Sequence, residues 1–447
     1  MRIQQISVSK LFGSFDHTIP LNMEERITIL HGPNGFGKTA LLRMINGLFN
    51  SRYSEFGSIP FMEFRIAFDE GSYLRVTKSV VSSSENENIS KPVFEFNRPG
   101  SKPNTFSPES LANSKKIGFY LEIIETRVPG LERIGQSKWL YLPTDEELYL
   151  EEVLSRFGNV VPENITGVKK EPKWLSELKS LINVRFVEAQ RLLSISDADV
   201  RRIAIYPARS YSMIPSVSTY TKELAKNIQK NLAEYGALSQ SLDRTFPARV
   251  VNYKATSDLT EEKIRNKLSE LEEKRSRIRE AGLLEKDENT DLQVDDRIDE
   301  RTISILSVYA GDVEKKLSVF NELSSKIELL KRIINERFLY KKMAVSKEKG
   351  FTFTTADGKL LSPTDLSSGE QHELVMLYEL LFKVQPNSLI LIDEPELSLH
   401  VAWQVQFLKD LQAIIQLANF DVLIATHSPD IINDRWDLTV ELKGPAE

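Results

Sequence analysis

The feature that most constrains this chain is a strand, a glycine loop and a helix in immediate succession near its start. Arg26-Ile27-Thr28-Ile29-Leu30 is a short β-branched apolar run that stops at glycine and proline. It feeds His31-Gly32-Pro33-Asn34-Gly35-Phe36-Gly37-Lys38-Thr39, after which residues 40–49 carry apolar side chains at helical spacing. Residues 32–39 fit the phosphate-binding pattern G-x-x-x-x-G-K-[ST] in the setting that pattern requires. Gly32, Gly35 and Gly37 let the backbone curl so that successive N–H groups, with Asn34 among the nucleotide-binding positions, face phosphate oxygens. Lys38 reaches the β- and γ-phosphates, Thr39 offers a hydroxyl to Mg²⁺, and the helix N-terminus adds positive potential.

Three further segments carry chemistry. Asn387-Ser388-Leu389-Ile390-Leu391-Ile392-Asp393-Glu394-Pro395 is a fully apolar strand of the buried parallel type, ending in two carboxylates. Asp393 is placed to hold Mg²⁺ and Glu394 to polarise a water, the division of labour phosphoryl transfer needs. Leu366-Ser367-Ser368-Gly369-Glu370-Gln371 precedes a helix with Leu374, Leu377, Leu380 and Leu381 on one face, and glycine with serine at such a start makes an anion site. Val422-Leu423-Ile424-Ala425-Thr426-His427-Ser428-Pro429 is another apolar strand, whose end presents an imidazole able to hydrogen-bond a transferring phosphoryl group or its water. Taken singly these are a strand meeting a turn, an N-cap and a strand-end histidine; beside the glycine loop they become a set.

Elsewhere the pattern predicts a strand over 3–8 and a hairpin of 62–68 with 73–80 turned at Glu70-Gly71. Residues 82–107, rich in Ser, Asn, Pro and Lys, read as a mobile loop. Thr144-Asp145-Glu146-Glu147 has capping-box spacing and opens an expected helix to Phe157, with others over 174–182 and 221–242 and a strand over 184–189. Ile264, Leu271 and Ile278, then Val313, Phe320, Ile327 and Ile334, recur every seven residues around an acidic, turn-rich stretch at 285–300. They predict a short antiparallel coiled-coil hairpin, with arms of ~20 to 25 residues reaching about 30 to 38 Å; two ordinary helices packed on a body is the other reading.

Composition narrows the class. The chain has no cysteine, which removes disulfides, thiolate zinc sites and thiol nucleophiles and fits a reducing, cytoplasmic setting. No run approaches the ~18 apolar residues of a membrane span, and the start lacks a signal peptide's apolar stretch. A formal charge of −6 argues against a surface that tracks nucleic-acid phosphates everywhere, while Lys341-Lys342 and Lys169-Lys170 leave room for local basic patches.

In order, the four segments resemble the nucleotide-binding domain of ABC ATPases: Walker A at 32–39, signature at 366–371, Walker B at 389–394 and switch histidine at His427. The resemblance implies an α/β head, a P-loop NTPase sheet with flanking helices, split by a helical insert that includes the hairpin. It implies ATP and Mg²⁺ as cofactors, with Thr39, Asp393 and a glutamine completing the metal shell. Gln190 in Glu188-Ala189-Gln190-Arg191 is the candidate, with Arg191 or another glutamine as alternatives. Glu394 and His427 would be catalytic, a D-loop would follow at 396–400, and Ser367, Ser368, Gly369 and Glu370 of one copy would complete the ATP site of a second in a head-to-tail dimer or higher oligomer. Ser368 stands where glycine is usual, which narrows the approach of a phosphate.

The split halves, the Gly-Pro-Asn-Gly loop and the Asp-Glu-Pro-Glu-Leu-Ser-Leu-His run resemble the SMC, RecF and OLD group rather than transporters. The implied division is 1–81 as N-terminal lobe, 82–183 as insert, 184–350 as Q-loop and helical insert, and 351–447 as C-terminal lobe. Without cysteines the hairpin has no zinc-hook apex, and the segment after His427 is too short for an appended Toprim nuclease. A stand-alone ATPase of this kind is similar to PtuA of the Septu and AriA of the PARIS anti-phage systems. The function implied is regulation of a separately encoded effector, a Toprim or HNH nuclease or a toxin, with no membrane partner. The alternative is a RecF- or SMC-like DNA-binding ATPase of repair or recombination.

Overall fold

The computed structural model describes the chain except residues 54, 83–87, 109–116, 129, 136, 142–145, 158–170, 189–192, 195–213, 254–259, 286–298, 398 and 445–447. The chain divides into two units, residues 1–214 with 383–447, and residues 215–382.

The first unit is built on a five-stranded parallel sheet in the order Val184–Glu188, Leu389–Asp393, Asp421–Ala425, Ile27–His31, Thr439–Glu441. The apolar runs read from the sequence become its inner strands, buried on both faces as parallel strands are. A six-stranded antiparallel sheet begins with Ile3–Leu11 and Phe15–Pro20. Between them runs the helix Lys38–Phe49, which buries Leu41, Leu42, Met44, Ile45, Leu48 and Phe49, so that both sheets contribute to one core around it. A helix buried on nearly every side cannot rotate or slide, and this fixes the loop that precedes it. Arg2 closes the arrangement by pairing with Asp421, its Nε donating to Oδ2 at 3.0 Å.

Two expectations fail in this unit. Residues 82–107 are not a loop throughout: Asn88–Asn97 pairs antiparallel with Tyr73–Ser82, and Asn104–Phe106 adds a further strand. The polar composition hides the alternation Val93-Phe94-Glu95-Phe96, whose two phenylalanines are fully buried against Phe56 and Trp174. The helix expected from Thr144 starts only at Leu150, because Glu146–Tyr149 pairs as a strand with Lys138–Tyr141. Thr144 and Asp145 lie outside the described residues. The helix Lys173–Leu181 and the strand Val184–Glu188 match the sequence reading.

The second unit holds the helices Ser216–Val251, Glu261–Glu280, Glu300–Ser318 and Asn321–Arg337, an antiparallel sheet of Lys341–Ser346, Gly350–Thr355 and Leu360–Leu361, and the helix Ser368–Tyr378. Glu261–Glu280 buries Ile264, Leu271 and Ile278, the heptad positions. The other expected arm is not one helix: it breaks at Val319-Phe320. Phe320 is fully buried there against the Tyr235 ring, at 5.3 Å, so the heptad repeat continues through a break that anchors it. Lys267–Glu314, Lys316–Asp243 and Arg249–Asp312 pairs tie the first three helices together. Arg337 and Glu373, both buried, form an ion pair that fastens the helix Ser368–Tyr378 to Asn321–Arg337. Among the described residues no helix is long and apolar enough to cross a membrane.

Candidate functional site

The register of the parallel sheet sets Glu188, Asp393, Ala425 and Leu30 side by side across four strands. The residues that follow each strand therefore emerge together at its carboxyl edge, the place where open α/β sheets bind ligands. Glu394, Thr426-His427 and His31-Gly32 are the residues so delivered. Gln190, which would follow Val184–Glu188 at the same edge, lies outside the described residues, as does Arg191.

The glycine loop takes the conformation its composition asks for. Gly32, Gly35 and Gly37 all have positive φ, at 150°, 84° and 89°. Gly37 is the helix N-cap, in a left-handed conformation that side-chain-bearing residues rarely adopt, and a Cβ there would also push on Leu11 Cδ2, so a substitution is strained. The loop is propped from the antiparallel sheet by His17, whose Nε2 donates to the Phe36 carbonyl at 2.9 Å and whose burial holds its pKa below the ordinary imidazole value.

Lys38 is buried to 6% exposure, and its ammonium donates to the carbonyls of Gly32 at 2.6 Å and Pro33 at 3.0 Å. Burial lowers its pKa, and the carboxylates of Glu394, Asp393 and Glu396 act in the opposite direction. Thr39 Oγ1 donates to Asp393 Oδ1 at 3.2 Å across 354 residues of sequence. Burial raises the Asp393 pKa, helped by Glu394 and Glu396 and opposed by Thr39 and His427. A hydroxyl and one carboxylate side by side suit Mg²⁺, which takes one or two protein oxygens and completes its shell with water and substrate phosphates. They fall short of an all-protein cage, and among the described residues no group of three or more His, Cys, Asp and Glu forms one.

Glu394 sits in the left-handed backbone region, φ 46°, where a non-glycine residue costs on the order of 1–2 kcal/mol. Its N–H is held by the Ala425 carbonyl at 2.8 Å, and its Oε1 lies 2.7 Å from His427 Nε2, which donates to it. The structure thus brings together Gly32–Thr39, Asp393, Glu394 and His427 in one unit.

Ser367, Ser368, Gly369 and Glu370 belong to the other unit. Ser367 is the N-cap of Ser368–Tyr378 in a reciprocal capping box, its N–H donating to Glu370 Oε2 at 2.8 Å and its hydroxyl to the same oxygen at 2.9 Å. Lys341 Nζ donates to both Glu370 oxygens at 2.7 Å. Ser367 and Ser368 are exposed, whereas the carboxylate of Glu370 is buried and committed to the cap and to Lys341. Lys341 is therefore not the seed of a free basic patch.

Sequence reasoning passed over His17 and Gln404, for which no local signal existed; Glu396 it placed only as the start of the D-loop at 396–400, without a role of its own.

Residues 1–432 match the family model described as AAA ATPase domain. Among solved structures the chain is similar to the Smc head domain with an extended coiled coil bound to the C-terminal domain of ScpA from Pyrococcus furiosus, at 12% identity and a TM-score of 0.33, over 96% of this chain and 91% of that one. It is also similar to the SMC head domain from Thermotoga maritima, at 10% identity and a TM-score of 0.31 over 100% of both chains. At these TM-scores the superpositions are loose. A sequence search of curated proteins returns no match.

Proposed function

Because the family model spans nearly the whole chain, the chain belongs to the AAA ATPase domain family, and from that premise we propose that it binds and hydrolyses ATP in a dimer and uses the cycle to control a separate effector. The observation that supports this most is the contact of Thr39 with Asp393, which joins the glycine loop to the carboxylate strand at one sheet edge. In the proposed cycle the loop N–H groups of Gly32, Asn34, Gly35 and Gly37 cradle the phosphates and Lys38 neutralises the β/γ charge. Thr39 and Asp393, with Gln190 as the third candidate, would hold Mg²⁺, which supplies charge neutralisation on the transferring phosphoryl group. Glu394 orients and polarises the attacking water, and His427 fixes the Glu394 carboxylate.

The exposed Ser367 and Ser368 and the half-buried Gly369 of a second copy would close the cage in trans, with Glu370 holding Ser367 rather than touching phosphate. ATP then favours the closed dimer and hydrolysis releases it, a change passed to the partner by the helical second unit. Glu394→Gln should give a dimer stable in saturating ATP, and Lys38→Ala a monomer that binds no ATP. Sedimentation showing a monomer for Glu394→Gln in saturating ATP sinks the dimer.

The effector we propose is a nuclease of Toprim or HNH type, or a toxin, in cytoplasmic anti-phage defence. The rival reading, a DNA-binding ATPase of RecF or SMC type, draws on the Lys- and Arg-rich helix Glu261–Glu280. Several of those cations are already paired, Arg265 with Glu261, Lys267 with Glu314, and Arg275 and Arg279 with Glu272, which supports a protein partner over DNA. Co-purification from cells, wild type against Lys38→Ala, separates the two. A nuclease retained only by the wild type supports the first; duplex binding that falls steeply with salt supports the second.

A further inference from the structure

Two loops of the first unit, the one after Asp393 and the one after Ala425, are joined by more than the Glu394–His427 contact. Glu396 accepts two hydrogen bonds from the second loop: Oε2 from the Thr426 hydroxyl at 2.8 Å and Oε1 from the His427 backbone N–H at 2.9 Å. Thr426 is fully buried, and its hydroxyl oxygen also accepts the Ser428 N–H at 3.0 Å. Behind it stands Gln404, 7% exposed, whose Oε1 accepts from the Ser428 hydroxyl at 2.8 Å and whose Nε2 donates to the Leu399 carbonyl at 3.2 Å. The Thr426 hydroxyl, the His427 N–H and the Ser428 hydroxyl are thereby tied to Glu396 and Gln404, while the Ser428 N–H closes the turn on Thr426.

The charge of Glu396 makes the arrangement informative. A third carboxylate beside Asp393 and Glu394 works against a polyanionic ligand, and it raises the pKa of Asp393. Such a group is expensive at a phosphate site unless it does something there. What it does is accept an N–H and an O–H at once, bonds that carry extra strength because the acceptor is ionised. The turn is thus held by Glu396 at the His427 N–H and by the neighbouring strand at the Thr426 N–H, which donates to the Leu30 carbonyl at 3.1 Å.

We propose that Glu396 is a positioning residue for hydrolysis, acting through Thr426 and the His427 backbone, with Gln404 behind them, to keep the His427 imidazole on the Glu394 carboxylate. The proposal rests on the assignment of Glu394 and His427 to the hydrolytic step. Glu396 does not touch nucleotide or metal in this role; it sets the geometry of the pair that acts on the water.

The test uses the full chain with Glu396→Ala, Glu396→Gln, His427→Ala and the double variant Glu396→Ala/His427→Ala. Glu396→Ala should lower kcat about tenfold to a hundredfold, the range for losing a group that orients a catalytic one, with fluorescent-ATP affinity within about twofold of wild type. Glu396→Gln should recover most of the loss, since its amide oxygen can accept the His427 N–H while its NH₂ meets the Thr426 hydroxyl oxygen. In the His427→Ala background, Glu396→Ala should cost little further. Additive losses, or a Glu396→Gln variant as impaired as Glu396→Ala with weakened ATP binding, overturn the proposal in favour of direct action on metal or nucleotide. Hydrogen exchange supplies a readout free of catalysis: amides 426–428 should exchange faster in Glu396→Ala, and unchanged exchange there refutes the clamp. A wild type that neither binds nor hydrolyses ATP would defeat the assignment of the site while leaving the exchange result to judge the clamp.

Discussion

The two parts of this molecule proposed to face phosphate are built in opposite ways. The glycine-loop half draws Gly32–Thr39, Asp393, Glu394 and His427 from the ends of three different strands, and Thr39 meets Asp393 over 354 residues. The Ser367 half is almost entirely local: the cap reaches three residues along one helix, and its most distant member, Lys341, is 29 residues away. The first can exist only when the parallel sheet is in register and the helix Lys38–Phe49 is packed beneath it. The second needs one helix start and one neighbouring strand. Damage to packing should therefore reach the first half through its core and the second through its few charged ties.

The largest effects should show that separation in stability. Arg337→Met leaves Glu373 buried and without that partner in the second unit, which should cost about 3–5 kcal/mol. Ile45→Ala opens a cavity in the first unit and should cost about 2–5 kcal/mol. All four tryptophans, Trp139, Trp174, Trp403 and Trp436, lie in the first unit, so their emission reports that unit and helical circular dichroism reports both. Ile45→Ala should shift the fluorescence midpoint; Arg337→Met should shift the dichroism midpoint and move fluorescence less. Equal shifts in both signals for both variants would mean the units unfold as one, and the contrast between them would be of construction only.

A smaller effect tests the charged tie itself. Lys341→Met strips Glu370 of its cation beside the proposed anion site, and should reduce turnover roughly tenfold, a change of about 1.4 kcal/mol, while the ATP binding proposed for the first unit stays unchanged. Adding Glu370→Gln to Lys341→Met removes the uncompensated charge and should restore most of the turnover. If the double variant stays as slow as Lys341→Met, the ammonium matters in its own right and not as a counter-ion to Glu370.

The contrast also explains what was legible in the sequence. The strand–loop–helix at 27–49 and the strands before Asp393 and His427 declare themselves because glycine positions and unbroken apolar runs are local properties. The heptads of 264–278 did so for the same reason. Residues 88–106 did not, since Phe94 and Phe96 are core only by virtue of Phe56 and Trp174, which no local pattern announces. The break at Val319-Phe320 was hidden because the seven-residue repeat runs straight across it. At the site, serine and glycine before an apolar helix made 366–371 readable as an N-cap, whereas the capping-box spacing at 144–147 was followed by a strand. The use of Glu396 was out of reach, because its partners Thr426 and His427 are 30 and 31 residues away and are chosen by sheet register.

The smallest effect concerns pH. Burial by itself pushes the Glu370 carboxyl up, but the Lys341 ammonium and the Ser367 N–H and hydroxyl outweigh it and hold the pKa below the ordinary value of 4.5. A group whose folded pKa is depressed stabilises the fold fully above its unfolded pKa and loses that contribution as pH falls through the folded value. The second unit should accordingly lose stability on acidification below 4.5, and Glu370→Gln, which has nothing to titrate at this position, should lose less. Half of the comparison is internal: the first-unit tryptophan signal, measured on the same samples at neutral pH and at about pH 3.5, should respond equally in wild type and Glu370→Gln. Only the dichroism midpoint should distinguish them, by less than the roughly 1.4 kcal/mol that a tenfold change in proton affinity is worth, because burial of Glu370 opposes the Lys341 and Ser367 contacts. A Glu370→Gln variant with the same acid slope as wild type in dichroism would show that the cap is held by its hydrogen bonds alone, and that Lys341 contributes to the site's charge without contributing to the fold.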